Sequence, residues 1–171
     1  TNAAGRWSLP GLDLTQDLHL IISLADYYGV AIPYDGGAAT RYFETKHLGV
    51  AMGGMMAGML GVSLEAGTGM VFFGAYDSSA AGFEGVSLAL DPDAGAGPFF
   101  TTAGMPDATL TATSSDGSGL WVNLPPGTYT LTYTAASGVC SPVVGVPGAQ
   151  AGELTVEIFP DTATQAVLEC Q

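Results

Sequence analysis

The sequence predicts a mainly β protein, an antiparallel sandwich of seven to eight strands preceded by a helical N-terminal segment. Three observations carry that expectation. After Glu65 the apolar residues recur with period two, and Gly or Pro interrupts them about every ten residues, which is the rhythm of short strands joined by turns. The stretch Thr109 to Ala135, TLTATSSDGSGLWVNLPPGTYTLTYTA, writes strand, turn, strand, turn, strand in succession. The two cysteines, Cys140 and Cys170, bracket the end of the chain, where a bridge would staple a final strand.

The elements follow in order. Thr1 to Pro10 lacks periodicity and is expected as a surface arm. Asp13 precedes a helical pattern, with Leu14, Leu18, Ile21, Ile22, Ala25 and Tyr28 on one face and Gly29 as the stop. A helix over 14–28 is expected, and a strand from Leu18 to Leu24 is the competing reading, because HLIISL is apolar enough for either. Val30 to Gly37 reads as extended, ending in a turn at Asp35, Gly36 and Gly37. From Arg41 to Leu60 the spacing of Leu48, Met52, Met55, Met56 and Met59 is helical. Five glycines between Leu48 and Leu64 make that helix dependent on tertiary support, and packing against a core is the expected role of its methionines.

The expected strands are Met70 to Tyr76, Val86 to Leu90, Phe99 to Thr101, Ala108 to Thr113, Leu120 to Leu124, Thr128 to Ala135, Leu154 to Phe159 and Ala163 to Glu169. Asp116-Gly117 and Pro125-Pro126-Gly127 supply turn chemistry between them. Alternation places Tyr129, Leu131, Tyr133 and Ala135 inward, with Thr128, Thr130, Thr132 and Thr134 outward. The same rule puts Leu110 and Ala112 inside and Thr109, Thr111 and Thr113 outside. The chain divides into an N-terminal arm and helical segment, 1–64, and a β-sandwich, 65–171.

GVSLAL at 85–90 followed by TATSSDGSGLWVNLPPGTYTLTYTA at 111–135 resembles the carboxypeptidase regulatory-like, or transthyretin-like, modules of bacterial surface and secreted proteins. The resemblance covers roughly 69–170. It departs from that pattern in the insert Asp91 to Asp107 and in the region before Glu65. It implies an Ig-like or transthyretin-like sandwich and a non-catalytic role, with no catalytic residues to carry over.

Charge restricts the partners. Sixteen acids face three bases, Arg6, Arg41 and Lys46, for a net charge of −13, which argues against nucleic acid and anionic lipid. The uncharged stretch Leu48 to Leu64 approaches membrane length, but its glycines dilute its hydrophobicity and no membrane span is expected. Cys140 and Cys170 are expected as a disulfide; two reduced thiols are the alternative. Few lysines, abundant Thr, Ser and Gly, and paired cysteines favour a secreted, periplasmic or cell-surface location. No signal peptide is read in these residues, and the chain is expected to be a mature or trimmed form.

Four methionines, Met52, Met55, Met56 and Met59, with His47 upstream, form a candidate copper site, since soft thioethers select Cu(I). Asp91 and Asp93, followed by Gly95, form a candidate calcium loop that lacks the later bidentate acid. His19 and His47 accompany no nucleophile motif, and the acid pairs Asp13 with Asp17 and Glu153 with Glu157 are what so acidic a chain produces. No catalytic residues and no cofactor are expected. Trp7, Tyr27, Tyr34 and Tyr42 are candidates for a glycan platform. The expected role is a non-catalytic structural or interaction protein of the envelope or extracellular space, a subunit of a surface assembly. A carbohydrate- or metal-binding module is the second class, and a hydrolase accessory domain the third.

Overall fold

A computed structural model describes residues 13, 15–35 and 48–171. Among these residues are one helix and twelve strands in two packed sheets. The larger sheet takes β1 (Leu18–Ile22), β2 (Gly29–Tyr34), β3 (Gly69–Tyr76), β5 (Ala96–Thr102), β6 (Met105–Asp107), β7 (Ser118–Leu124), β9 (Cys140–Val144) and β12 (Thr162–Cys170). The smaller takes β4 (Val86–Asp91), β8 (Gly127–Ala135), β10 (Val146–Pro147) and β11 (Glu153–Ile158). The helix, α1, is Val50–Met59.

The strand order of the larger sheet is β1-β2-β12-β3-β7-β5-β6, and that of the smaller is β10-β11-β8-β4. The sandwich is mainly antiparallel, with one departure. β12 runs parallel to both β2 and β3, while its far end pairs antiparallel with β9. A parallel neighbour cannot be reached by a tight hairpin, and here the intervening chain passes through the opposite sheet before returning. The turn at Pro125 and Pro126 likewise hands the chain from β7 in one sheet to β8 in the other. Tyr129, buried on β8, fixes this corner by donating its hydroxyl to the Pro125 carbonyl at 2.9 Å.

The space between the sheets is filled as alternation requires. Val71, Phe73, Phe100, Trp121 and Leu168 from the larger sheet meet Leu88, Leu131, Leu154, Val156 and Ile158 from the smaller. On β8 the inward Tyr129 and Leu131 and the more open Thr128, Thr132 and Thr134 follow the expected division. Cys140 and Cys170 are disulfide-bonded, and they sit opposite each other in the β9–β12 ladder.

Three expectations are corrected. No helix covers 14–28. Residues 18–34 instead form the antiparallel hairpin of β1 and β2, with Ile22 opposite Val30. The Asp13 carboxylate closes a local turn on Thr15, accepting from its backbone N–H and hydroxyl, rather than capping a helix. The edge thus chooses the strand reading of HLIISL, whose isoleucines fit a pleated surface better than a helix.

Ala108 to Thr113 is not a strand. The Asp107 carboxylate accepts from the Thr109 N–H and hydroxyl, turning the chain immediately after β6. Thr113 therefore points inward, buried, its hydroxyl donating to the Phe83 carbonyl and accepting from the Val86 N–H.

The third concerns α1. Its buried residues are Gly53 and Ala57, while Met52, Met55 and Met59 are 57%, 57% and 58% exposed. The methionines do not face a core. The small residues do.

Candidate functional site

The outer face of the larger sheet is where the two unusual features of the molecule meet. Strands β3, β7 and β12 carry apolar residues on both faces: Phe72 and Leu120 point away from the inter-sheet core, as do Met70, Val122 and Ala163. A strand that is apolar on both sides needs cover on both sides. At the Met70 end that cover is present. Tyr28, Leu48, Val62 and Leu64 pack there around Met70, Leu120, Val122 and Ala163, forming a second, smaller core.

The position of α1 above this second core is fixed at several points. Tyr28 donates its N–H to the Leu48 carbonyl, and Val50 donates to Asp26, tying the helix start to the β1–β2 loop. At the other end the N–H groups of Gly61 and Val62 reach back to the Gly58 and Ala57 carbonyls, closing the helix in a Schellman arrangement. Asn123 then holds the following segment to β7, accepting from the Glu65 N–H and donating to the Ser63 carbonyl. A side chain at Gly53 would meet the Tyr28 ring at 2.9 Å and Leu48 at 3.1 Å. Glycine is what lets the helix backbone settle on that ring.

Toward the Tyr76 end of the same face, the described residues supply no such cover. Phe72, Gly74 and Tyr76 of β3 lie beside Gln165, Val167 and Glu169 of β12, and beside Leu120 and Ser118 of β7. Together they floor a concavity of about 810 Å³. Leu48 and Met56 wall it on the helix side, and Asp77, Ser78 and Ala80 wall it on the opposite side. Val143 of β9 and Thr101 of β5 mark its two ends across the strands. Gly74 is again a space requirement: a side chain there would collide with the Tyr76 ring, which folds back along its own strand.

The groove is apolar at its centre and polar at its edge. The Tyr76 and Ser118 hydroxyls lie 3.3 Å apart, and Ser118 also donates to the Asp116 carbonyl. Thr101 is 8% exposed, and its hydroxyl has no hydrogen-bond partner among the described protein atoms. The Asp77 carboxylate accepts from the Ser79 hydroxyl and from the N–H groups of Ser79 and Ala81. These bonds, the Ser79 hydroxyl first, hold it below the usual aspartate range. Glu169 is exposed on β12, opposite Tyr76 in the ladder. No Lys or Arg is found among the described residues; Arg6, Arg41 and Lys46 all lie outside them.

The residues singled out from sequence are distributed as follows. Met52, Met55, Met56 and Met59 share one helical stripe at i, i+3, i+4 and i+7 spacing, with Met56 turned toward the groove. His47 lies outside the described residues, as do Trp7 and Tyr42. Asp91 and Asp93 are exposed at the end of β4 and in the turn after it, and no cluster of three or more His, Cys, Asp or Glu is found among the described residues. Tyr34 is buried in β2 and is no platform, whereas Tyr27 is exposed beside α1. His19 stacks edge-on against Phe159, with its Nδ1 3.4 Å from the Glu157 carboxylate. Glu153, at the other end of β11, accepts from the Gln150 N–H. No described helix is long and apolar enough to cross a membrane.

Sequence reading missed Tyr76, Ser118, Thr101 and Gln165. The available signal was MVFFGAY itself, a run apolar in both phases of a strand.

No family model matches the chain, and no curated protein does. Among solved structures it is similar to the Bacillus anthracis TIE protein, at 14% identity and a TM-score of 0.39 over 83% of this chain and 20% of that one. It is also similar to a streptococcal ancillary pilin, at 14% identity and a TM-score of 0.38 over 88% of this chain and 44% of that one. The chain spans less than half the length of either.

Proposed function

We propose that this chain is a non-catalytic structural or interaction module of the cell surface or extracellular space, working by docking a partner over the outer face of its larger sheet. The observation that carries this reading is the stripe of Met52, Met55 and Met59. All ten residues of α1 are apolar or glycine, and a helix apolar all round belongs in an interior. Among the described residues its buried side is that of Gly53 and Ala57. Exposed methionine is a characteristic contact residue, because its unbranched thioether adapts to a partner's shape.

The Cys140–Cys170 disulfide supports an oxidising location, and the resemblance of the chain to carboxypeptidase regulatory-like modules supports a non-catalytic role. Oxidative footprinting tests the docking reading. Met52, Met55 and Met59 should oxidise rapidly in the purified protein and be protected in the native envelope or extracellular fraction; equal oxidation in both would remove the basis for docking on this face.

A second reading is favoured by the same stripe. Once packing no longer accounts for the methionines, three exposed thioethers on one helix face are also a soft-metal surface. Titration with Cu(I) tests it, and binding no tighter than micromolar would dispose of it.

A further inference from the structure

The groove beside the methionine stripe has a composition that specifies more than a generic contact. Its volume of about 810 Å³ lies within the roughly 300–1,000 Å³ typical of ligand sites, and it is open along its length rather than enclosed. Its floor, at Phe72, Leu120 and Val167, is apolar and continuous with Met56 on the helix. Its loop wall carries Asp77, and Glu169 lines the same groove from β12, opposite Tyr76 in the ladder. The Asp77 carboxylate is already held in place by three local donors, so its charge is fixed in position and not free to swing away. At the β5 end, the Thr101 hydroxyl is buried without a partner among the described residues. A site with an apolar floor, a pinned anionic end and an unsatisfied hydroxyl at its margin discriminates by charge sign as well as by hydrophobicity.

We infer that this groove receives a polypeptide segment of a partner protein in which large apolar side chains are followed by lysine or arginine. The apolar side chains lie on Phe72, Leu120 and Val167 between the helix and the Asp77 loop, and the cationic end meets Asp77 and Glu169. An acidic or neutral segment lacks the second contact.

The inference rests on the reading that this face docks a partner, and the probe is chosen to separate the two. Isothermal titration of the full chain with acetyl-GLFKKG-amide, followed by backbone NMR shifts, is compared with acetyl-GLFEEG-amide. Saturable binding is expected for the lysine peptide, with shifts centred on Phe72, Gly74, Tyr76 and Val167. It should weaken by about tenfold in the Asp77→Asn/Glu169→Gln variant and fall further as salt is raised. Asparagine at 77 retains the acceptor for Ser79 and Ala81, so that loop keeps its shape. Val167→Lys, at a half-buried position, places a cation on the floor and should abolish binding; unchanged far-ultraviolet circular dichroism shows that either variant is folded.

Equal binding of both peptides, binding insensitive to both variants, or no saturation tighter than ~1 mM would overturn the assignment. So would the same shifts produced by cellohexaose, or by raising the protein concentration alone, in the absence of peptide binding. If the peptide fails while Met52, Met55 and Met59 remain protected in the native fraction, docking stands and the peptide assignment falls.

Discussion

Thr113 shows how a single hydroxyl can be misread when the element around it is misjudged. Alternation assigns it to solvent only if 108–113 is a strand, and the Asp107 turn removes that premise. In the folded chain it is 4% exposed and links Phe83 to Val86 across the core margin. Thr113→Val keeps the volume but strips both bonds, leaving the Val86 N–H unpaired in the interior. The expected cost is about 1–3 kcal/mol, read from the shift in the urea midpoint at unchanged slope. Asp77 supports a second expectation. Its folded carboxyl is depressed by the Ser79 and Ala81 bonds. Its contribution is therefore fully present above the ordinary aspartate value and is lost as pH falls through the lower, folded one. Carboxyl NMR titration should place its midpoint below 3.8, the unperturbed value; a midpoint at or above that value would mean the loop bonds do not form in solution. Neither Asp107 nor Asp77 was legible as a turn-maker from spacing alone, because aspartate two residues before Ser or Thr is common in so acidic a chain.

At the scale of the element, α1 exposes the limit of periodicity. The residues Gly49, Gly53 and Ala57 repeat every four, and the methionines repeat on the adjoining stripe. Spacing identifies both stripes and says nothing about which one meets the sheet. The Tyr28 ring decides it: a small-residue face lets the backbone approach, and the methionines are left outside. Gly53→Leu should therefore lift the helix. Amide exchange across Val50–Met59 would become fast while the core amides of Val156 and Leu168 keep their protection. Gly54→Ala, at a position with open space around it, should do the opposite, slowing helix exchange by up to ~1 kcal/mol in opening free energy. The strands were more readable, because β3, β4, β7, β8, β11 and β12 carry their burial pattern within the element itself. The β1–β2 hairpin was not, since its sequence satisfies both periods and its fate depends on an edge of β12 far along the chain.

For the molecule as a whole, the disulfide closes a span of 30 residues, for which the chain-entropy model gives about 3.5 kcal/mol. Reduction, or Cys140→Ser/Cys170→Ser, should lower Tm by about 10 °C for a chain of this size; a shift within error would mean that the β9–β12 ladder holds without the bridge. The bridge was legible because both cysteines flank the final segment. The groove was not, because its floor is assembled from β3, β7 and β12, and their juxtaposition follows from parallel pairing that no local pattern announces. That same strand, β12, governs how the molecule can be made. It is the last of the twelve described strands in chain order, yet it joins β2 to β3, and among the described residues it is the one strand ladder between the N-terminal hairpin and the rest of the sheet. Until it emerges, a nascent chain carries two raw strand borders, at Gly29–Tyr34 and Gly69–Tyr76, each able to zip onto a stranger. A pause in synthesis between Tyr76 and Thr162 thus leaves both borders unpaired at once.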